Sequence, residues 1–351
     1  MKPCGAKRRS CILLVLFLVL VEAVAQGSGV SDTLRVMFYN AENLFDCEDD
    51  SLKDDSEYLP GGAKGWTPSR YWAKLSGLAW VMAAVGDYRL PGLVGLCEVE
   101  NDHVLSDLVG RTPLRTAGYR FLLTSSPDER GVDVALLYLP SCFRPLSHRS
   151  VTVAGGPRPT RDILHVSGLL PTADTLDVIV CHLPSRYGGA KASAPFRRLA
   201  AQTLRGVVDS VCAVRHVPRV LVMGDFNDEL QPSSMLSEAL GVEVIRRGAY
   251  SPVDTSLYRL LSPADGGSYV YRGHWELIDH LLVSGRLLHR ADGCGGVVTG
   301  ADYARVVRLP FLLQDDEAFG GQKPFRTHLG GRYLGGYSDH LPLAVDLLLD
   351  F

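Results

Sequence analysis

Carboxylates, carboxamides and imidazoles recur at the ends of apolar stretches in this sequence. Together they are the side chains that hold a hard divalent cation and handle protons at an anionic ester. Asn40 and Glu42 close the first such stretch in FYNAEN, Glu98 the second in LCEVEN, His182 the one that runs into CHLPSR, and Asp225 with Asn227 the one in MGDFND. Asp279 lies in ELIDH, and Asp339 and His340 precede the last apolar run in YSDH. A single Asn or Asp after a strand is usually a turn former, and one histidine alone is more often structural. The set carries the information: turn chemistry does not readily repeat acids, amides and imidazoles along one apolar scaffold, and strand ends are where side chains project into a cleft.

The elements that must position these residues are short apolar runs at 34–39, 93–97, 132–138, 176–181, 220–223, 278–283 and 341–349, which read as buried strands. Between them, Tyr71, Leu75, Leu78, Met82 and Val85 recur at helical spacing after Pro68, and residues 199–211 show a similar period. Strands and helices alternate without a sustained repeat. Two stretches read as loops. Residues 46–57 carry seven acids without the ligand spacing of a calcium loop, so a solvated acidic loop is expected. Residues 300–337 are Gly-rich and hold Lys323, Arg326, His328 and Arg332, which suits either a substrate-facing loop or an inert insertion.

These segments resemble the endonuclease/exonuclease/phosphatase superfamily from about Leu34 to the C-terminus. GDFND, the terminal SDH and CHLPSR are the most specific pieces. The resemblance implies an α/β fold, a four-layer α/β/β/α sandwich of two mixed sheets flanked by helices, and metal-dependent phosphoester hydrolysis. Glu98 is similar to the family's metal-binding glutamate and Asn40 to its first active-site asparagine. DERGVDVALLY at 128–138 is similar to the stretch that supplies a substrate-side arginine, here Arg130.

A phosphodiester anion repels hydroxide and has a poor leaving group, so a site must neutralise charge, make a nucleophile and stabilise what leaves. On that logic Glu98, helped by Glu42 and Asp339, is expected to hold Mg²⁺ or Mn²⁺, with Asn40 as a neutral ligand or phosphate contact; oxygen ligands argue against zinc. His340 is expected as general base or electrostatic partner of the phosphate, with Asp279 fixing its tautomer. The resemblance implies that Asp225 positions or deprotonates water and that Asn227 donates to a non-bridging oxygen. His182 is expected to contact the phosphate or act as an acid, and Arg130 and Arg186 to form charged hydrogen bonds to it.

The chain has 351 residues, 46% hydrophobic and 21% charged, enough for a real core. Lys7, Arg8 and Arg9 precede an apolar run at 12–21, and Ala23 and Ala25 have the spacing a signal peptidase accepts. Residues 1–25 therefore read as a signal peptide and 26–351 as one domain, in a secreted or periplasmic monomer with no membrane anchor after cleavage. The mature chain would carry 32 basic and 38 acidic residues, a balance of −6 that does not suit a generic polyanion binder. Its six cysteines lack paired CxxC spacing, and Cys97 and Cys181 lie in apolar runs, so buried thiols are expected rather than a disulfide framework.

The first functional expectation is an exported endonuclease acting on DNA or RNA, for which the scattered basic residues are the weak point. A phosphatase or phosphodiesterase acting on a small phosphorylated molecule or a lipid headgroup is the alternative, the lipid form ranking lower for want of an exposed apolar hairpin. A non-catalytic binding module of the same fold is the third.

Overall fold

The computed structural model describes residues 31–350, apart from 88, 233, 246–252, 254 and 290–295; the expected signal peptide lies outside them. One mixed sheet runs in the order β14 (Val297–Val298), β20 (Leu343–Asp350), β1 (Ser31–Leu44), β2 (Leu93–Val99), β4 (Asp133–Tyr138) and β3 (Arg120–Leu123), with β15 (Ala304–Val306) also on β20. The second runs β5 (Arg144–Val151), β6 (Ile163–Leu169), β7 (Thr175–His182), β8 (Val220–Asp225), β13 (Asp279–Ser284), β10 (Leu257–Arg259) and β9 (Val242–Val244). Three hairpins complete the strands: β11 (Tyr269–Tyr271) with β12 (His274–Glu276), β16 (Leu313–Asp315) with β17 (Gln322–Pro324), and β18 (His328–Leu329) with β19 (Arg332–Tyr333).

Side-chain alternation along the central strands explains the layering. In β7, Val178 and Val180 join the core between the sheets, whereas Ile179 and Cys181 face the other way into a second core. β8 divides likewise, with Leu221 and Met223 inward and Val220 and Val222 outward. Because both faces of these strands are buried, they read in sequence as unbroken apolar runs. Helix α1 (Pro68–Gly86) and helix α2 (Asp102–Arg111) contribute to the first core, and helix α3 (Ala190–Val214), with helix α4 (Met235–Leu240), to the second. The result is the expected sandwich of two mixed sheets between helices.

Helix α1 has Pro68 in its first turn and buries Tyr71, Leu75, Leu78, Met82 and Val85, as their spacing predicts. Helix α3 starts at Ala190, nine residues before the apolar period becomes visible, because its first turns are Ala- and Ser-rich and bury little. Its apolar face begins with Phe196 and Ala200. Gly224, in the GDFND segment, is required by packing: a Cβ there would lie 2.4 Å from the Cys181 carbonyl oxygen on the paired strand. Cys47, Cys97, Cys142, Cys181 and Cys212 are all free thiols. The acidic loop is less solvated than expected, because Asp46 and Asp55 are buried and accept the backbone amides of Glu48 and Asp50. No helix among the described residues is long and apolar enough to cross a membrane.

Candidate active site

Strand register assembles half of the site. His182 is the last residue of β7, Asp225 the last of β8 and Asp279 the first of β13. The ladders pair His182 with Asp225 and Asp225 with Asp279, so the three stand side by side at one end of the second sheet. Pro184 follows closely after β7 and has no amide to continue the ladder. The other half comes from the first sheet, where β-bulges interrupt the register after Asn40 and between Cys97 and Val99. Glu98 sits on the second bulge with φ 60°, Glu42 and Asn43 have φ 47° and 53°, and Asn227 beyond β8 has φ 52°. Positive φ at four non-glycine residues around one cleft is backbone strain concentrated where side chains are re-aimed.

His340 and Asp279 are in close contact, with His340 Nδ1 2.7 Å from Asp279 Oδ2. Ser268 Oγ donates to the same carboxylate oxygen at 2.5 Å, and the Tyr269 ring lies 5.0 Å from the imidazole, centroid to centroid. Burial pulls the His340 pKa down, but Asp279 and Asp225 outweigh it and hold the ring well above the ordinary histidine value, as an imidazolium. Asp225 accepts Asn40 Nδ2 on Oδ2 at 3.0 Å and the Asn227 amide on Oδ1 at 2.8 Å. Burial, reinforced by Asp279, pushes Asp225 up to about 7 even though His340 opposes the shift. His182 Nε2 lies 3.6 Å from Asp225 and 3.9 Å from Glu98. Burial first, then the nearby Arg161, Arg130 and His340, lowers the His182 pKa far below the usual value, so that ring is neutral.

A cavity of about 660 Å³ opens above this cluster and is lined by Glu98, His182, Asp225, Asn227, Asp339 and His340 among others, with Arg130 and Arg186 also on its wall. Asn40 is buried beneath it, its amide committed to Asp225 and its carbonyl oxygen to the Glu42 N–H. Arg186 is on the wall but its guanidinium is engaged, donating to Asn227 O at 2.8 Å, Glu276 at 2.8 Å and Asp228 at 3.4 Å. Arg186 thus ties the β7–α3 loop to the β11–β12 hairpin through three of its five N–H groups, and the other two stay free for the expected phosphate contact. Arg130 remains half-exposed and open to the cavity.

Glu42 departs furthest from the expected metal set. Its two oxygens accept the amide of Thr327 at 2.6 Å and that of His328 at 3.3 Å, and Arg326 Nε lies 3.3 Å away. The carboxylate thus anchors the 326–328 segment instead of lining the cavity, because bulged backbone at Glu42 directs it to the loop that crosses the first sheet. Arg326 in turn donates to Asp339 at 2.9 Å, and buried Lys74 donates to Thr327 Oγ1 at 2.5 Å. Within the Gly-rich 300–337 stretch, residues 326–328 are therefore a fixed anchor, while 317–322 and 329–332 are largely exposed. Ser268, Tyr269 and Asn43, whose amide donates to Glu98 at 2.9 Å, escaped the sequence reading. None of them stands at an apolar run's end as a conspicuous acid or imidazole.

The donor set suits a hard cation. Glu98 Oε1 faces the cavity with His182 as its nearest ion-pairing neighbour, Asp339 also lines the cavity, and Asp225 is raised by burial first and by Asp279 and Glu98 after it, a penalty that a cation would relieve. Asp225, Asp279 and His340 also have ligand atoms within 4.8 Å of one another. Within that trio His340 Nδ1 is hydrogen-bonded to Asp279 at 2.7 Å, whereas its Nε2 stands 3.8 Å from Asp225 Oδ2, beyond hydrogen-bond reach.

The family model described as Endonuclease/Exonuclease/phosphatase family matches residues 35–348, and the chain belongs to that family. It is accordingly a phosphoesterase hydrolase, of a class that typically depends on a divalent metal. The fold is similar to that of an endonuclease/exonuclease/phosphatase family protein from Bacteroides thetaiotaomicron, at 15% identity and TM-score 0.55, covering 92% of this chain and 99% of that one. It is also similar to D. rerio TDP2 complexed with single strand DNA product, at 14% identity and TM-score 0.53, covering 90% and 99%. A mannosyl-6-phosphatase of Bacteroides thetaiotaomicron matches at 16% identity and TM-score 0.53, again covering 90% and 99%. A search of curated proteins finds no match.

Proposed function

We propose that this protein is a divalent-metal-dependent phosphodiesterase that cuts nucleic acid strands, exported as a nuclease. The observation that carries the reading is the convergence of Glu98, His182, Asp225 and His340 from two sheets on the floor of one open cavity. Glu98 and Asp339 would hold Mg²⁺ or Mn²⁺, which when bound supplies charge neutralisation for the phosphate. Asp225, with a pKa near neutrality, receives the proton of the attacking water. His340, kept cationic by Asp279, offers Nε2–H to a non-bridging phosphate oxygen, and neutral His182 hydrogen-bonds another. Asn227 gives one amide hydrogen to Leu183 O and keeps the second for the substrate.

The test is a panel of plasmid DNA, RNA, a single-stranded oligonucleotide, a chromogenic phosphodiester and a sugar phosphate, each with and without a chelator. Chelator-sensitive cleavage of a strand is the expected result. Turnover of the sugar phosphate alone would favour a small-molecule phosphatase, a reading for which the cavity has suitable size. No turnover at all would favour a binding module. Export rests on the charged and apolar leader at residues 7–25, and N-terminal sequencing of the exported protein is expected to begin at Gln26.

A further inference from the structure

A second cavity of about 290 Å³ adjoins the catalytic one, and the two share Arg130, Ser185 and Tyr187 on their common wall. The smaller cavity carries three guanidinium groups, those of Arg130, Arg158 and Arg161, against the carboxylates of Asp128 and Glu129. Asp128 is already neutralised. It is buried, 3.3 Å from Arg161 Nη1 and 3.7 Å from Arg130 Nε, and it accepts the Arg130 amide. Arg161 is also buried, donates a second hydrogen bond to Leu183 O at 2.7 Å, and has an Nε hydrogen with no partner. Arg158 is exposed, and no carboxylate among the described residues lies within ion-pairing distance of it.

Tyr187 stands between the two cavities and is 81% exposed, with the Arg158 guanidinium 6.0 Å from its ring centroid. An aromatic ring left this open, with a guanidinium that no carboxylate pairs over one side of it, is a stacking platform beside a phosphate contact. A sugar phosphate fits within the catalytic cavity and has no need of this one, whereas a polynucleotide strand extends into both.

We propose that the side cavity is a subsite for the nucleotide adjacent to the scissile phosphate, its base stacked on Tyr187 and its phosphate held by Arg158 and Arg130. This rests on the nucleic-acid reading above and specifies it: the substrate is a single strand whose bases are free to stack, so binding needs few basic residues. The net-negative mature chain is compatible with such local recognition.

The experiment compares kcat/KM on a single-stranded oligonucleotide with kcat/KM on methyl p-nitrophenyl phosphate, which carries only a methyl group where the adjacent nucleotide would sit. In Arg158→Ala and in Tyr187→Leu the ratio of the two is expected to fall at least about fivefold, and in Tyr187→Phe, which keeps the ring, to stay near wild type. The slope of log kcat/KM against log salt for the oligonucleotide is expected to shrink by about 0.7 in Arg158→Ala, the signature of one lost phosphate contact on a single strand. Both residues are exposed, so folding is not at stake. Unchanged ratios in Arg158→Ala and Tyr187→Leu, with wild-type enzyme still cutting the strand, overturn the subsite and leave the nuclease reading intact. A wild-type enzyme that cuts no oligonucleotide removes that reading, and the subsite with it.

Discussion

Asn40 Nδ2 donates to Asp225 Oδ2 at 3.0 Å, a buried hydrogen bond that joins the end of β1 in one sheet to the end of β8 in the other. It fixes the gap across which the site is built, and Ser338 Oγ extends the link by donating to Asn40 O at 2.7 Å, bringing in the segment that carries Asp339 and His340. A hydrogen bond to a carboxylate favours its charged form. Asn40→Ala is therefore expected to lower kcat by roughly a hundredfold and to move the acid limb of the pH–rate profile upward, read from kcat/KM between about pH 5 and 9. A profile with an unmoved acid limb would remove Asn40 from the control of Asp225.

Glu98 and Glu42 should separate in a metal titration. Glu98→Gln would weaken the proposed cation ligand, so the metal concentration for half-maximal activity is expected to rise at least about tenfold. Glu42→Gln removes an anchor for the Thr327 and His328 amides. It is expected to lower the thermal midpoint by several degrees, at about 1–2 kcal/mol for a compromised buried hydrogen-bond pair, while the metal requirement stays near wild type. Equal shifts in the metal titration of the two variants would return Glu42 to the ligand set.

Asp279→Asn keeps the shape of the pair but removes the charge that stabilises the His340 imidazolium. A fall in kcat of about a hundredfold or more is expected. The independent readout is the His340 titration followed by NMR, whose midpoint should drop in the variant because burial then acts with less opposition. An unchanged midpoint would show that Asp279 does not set the charge of His340.

Glu100 gives a pH-dependent stability away from the catalytic cluster. Burial, together with Asp46, Asp55 and Asp50, raises its pKa from 4.5 to about 8, although its Oε2 accepts the Asp46 amide at 2.7 Å. The folded protein thus holds a proton that the unfolded chain releases between those values, so this contribution to stability is full below pH 4.5 and is lost as pH rises to about 8. Glu100→Gln should raise the thermal midpoint relative to wild type by an amount that grows over this window and levels off above it. A gain that is constant with pH would contradict the assignment.

Much of this was legible in the sequence because β7, β8 and β13 are buried on both faces. Apolar runs such as LDVIVC and VLVM admit few other readings, and a polar residue at their ends stands out. The edge strand β5, with the sequence RPLSHRSV, was invisible for the opposite reason: it is largely exposed and has no apolar face to betray it. Ser268 and Tyr269 were equally hidden, since a serine and a tyrosine in a Gly-rich turn carry no signal until a fold sets them against Asp279 and His340.

The residue types at the strand ends were enough to define the chemistry, because oxygen donors and imidazoles keep their affinities for cations, protons and phosphate in any fold. What those side chains do with their lone pairs is a matter of distance, and only the packing of the two sheets set it. The packing left Glu98 facing the cavity and turned Glu42 to the 326–328 segment; it also tied Arg186 to Glu276 while setting Arg158 over the ring of Tyr187. A carboxylate or guanidinium finds its partner within about 3 Å, and a linear chain does not carry spacing at that scale between residues hundreds of positions apart.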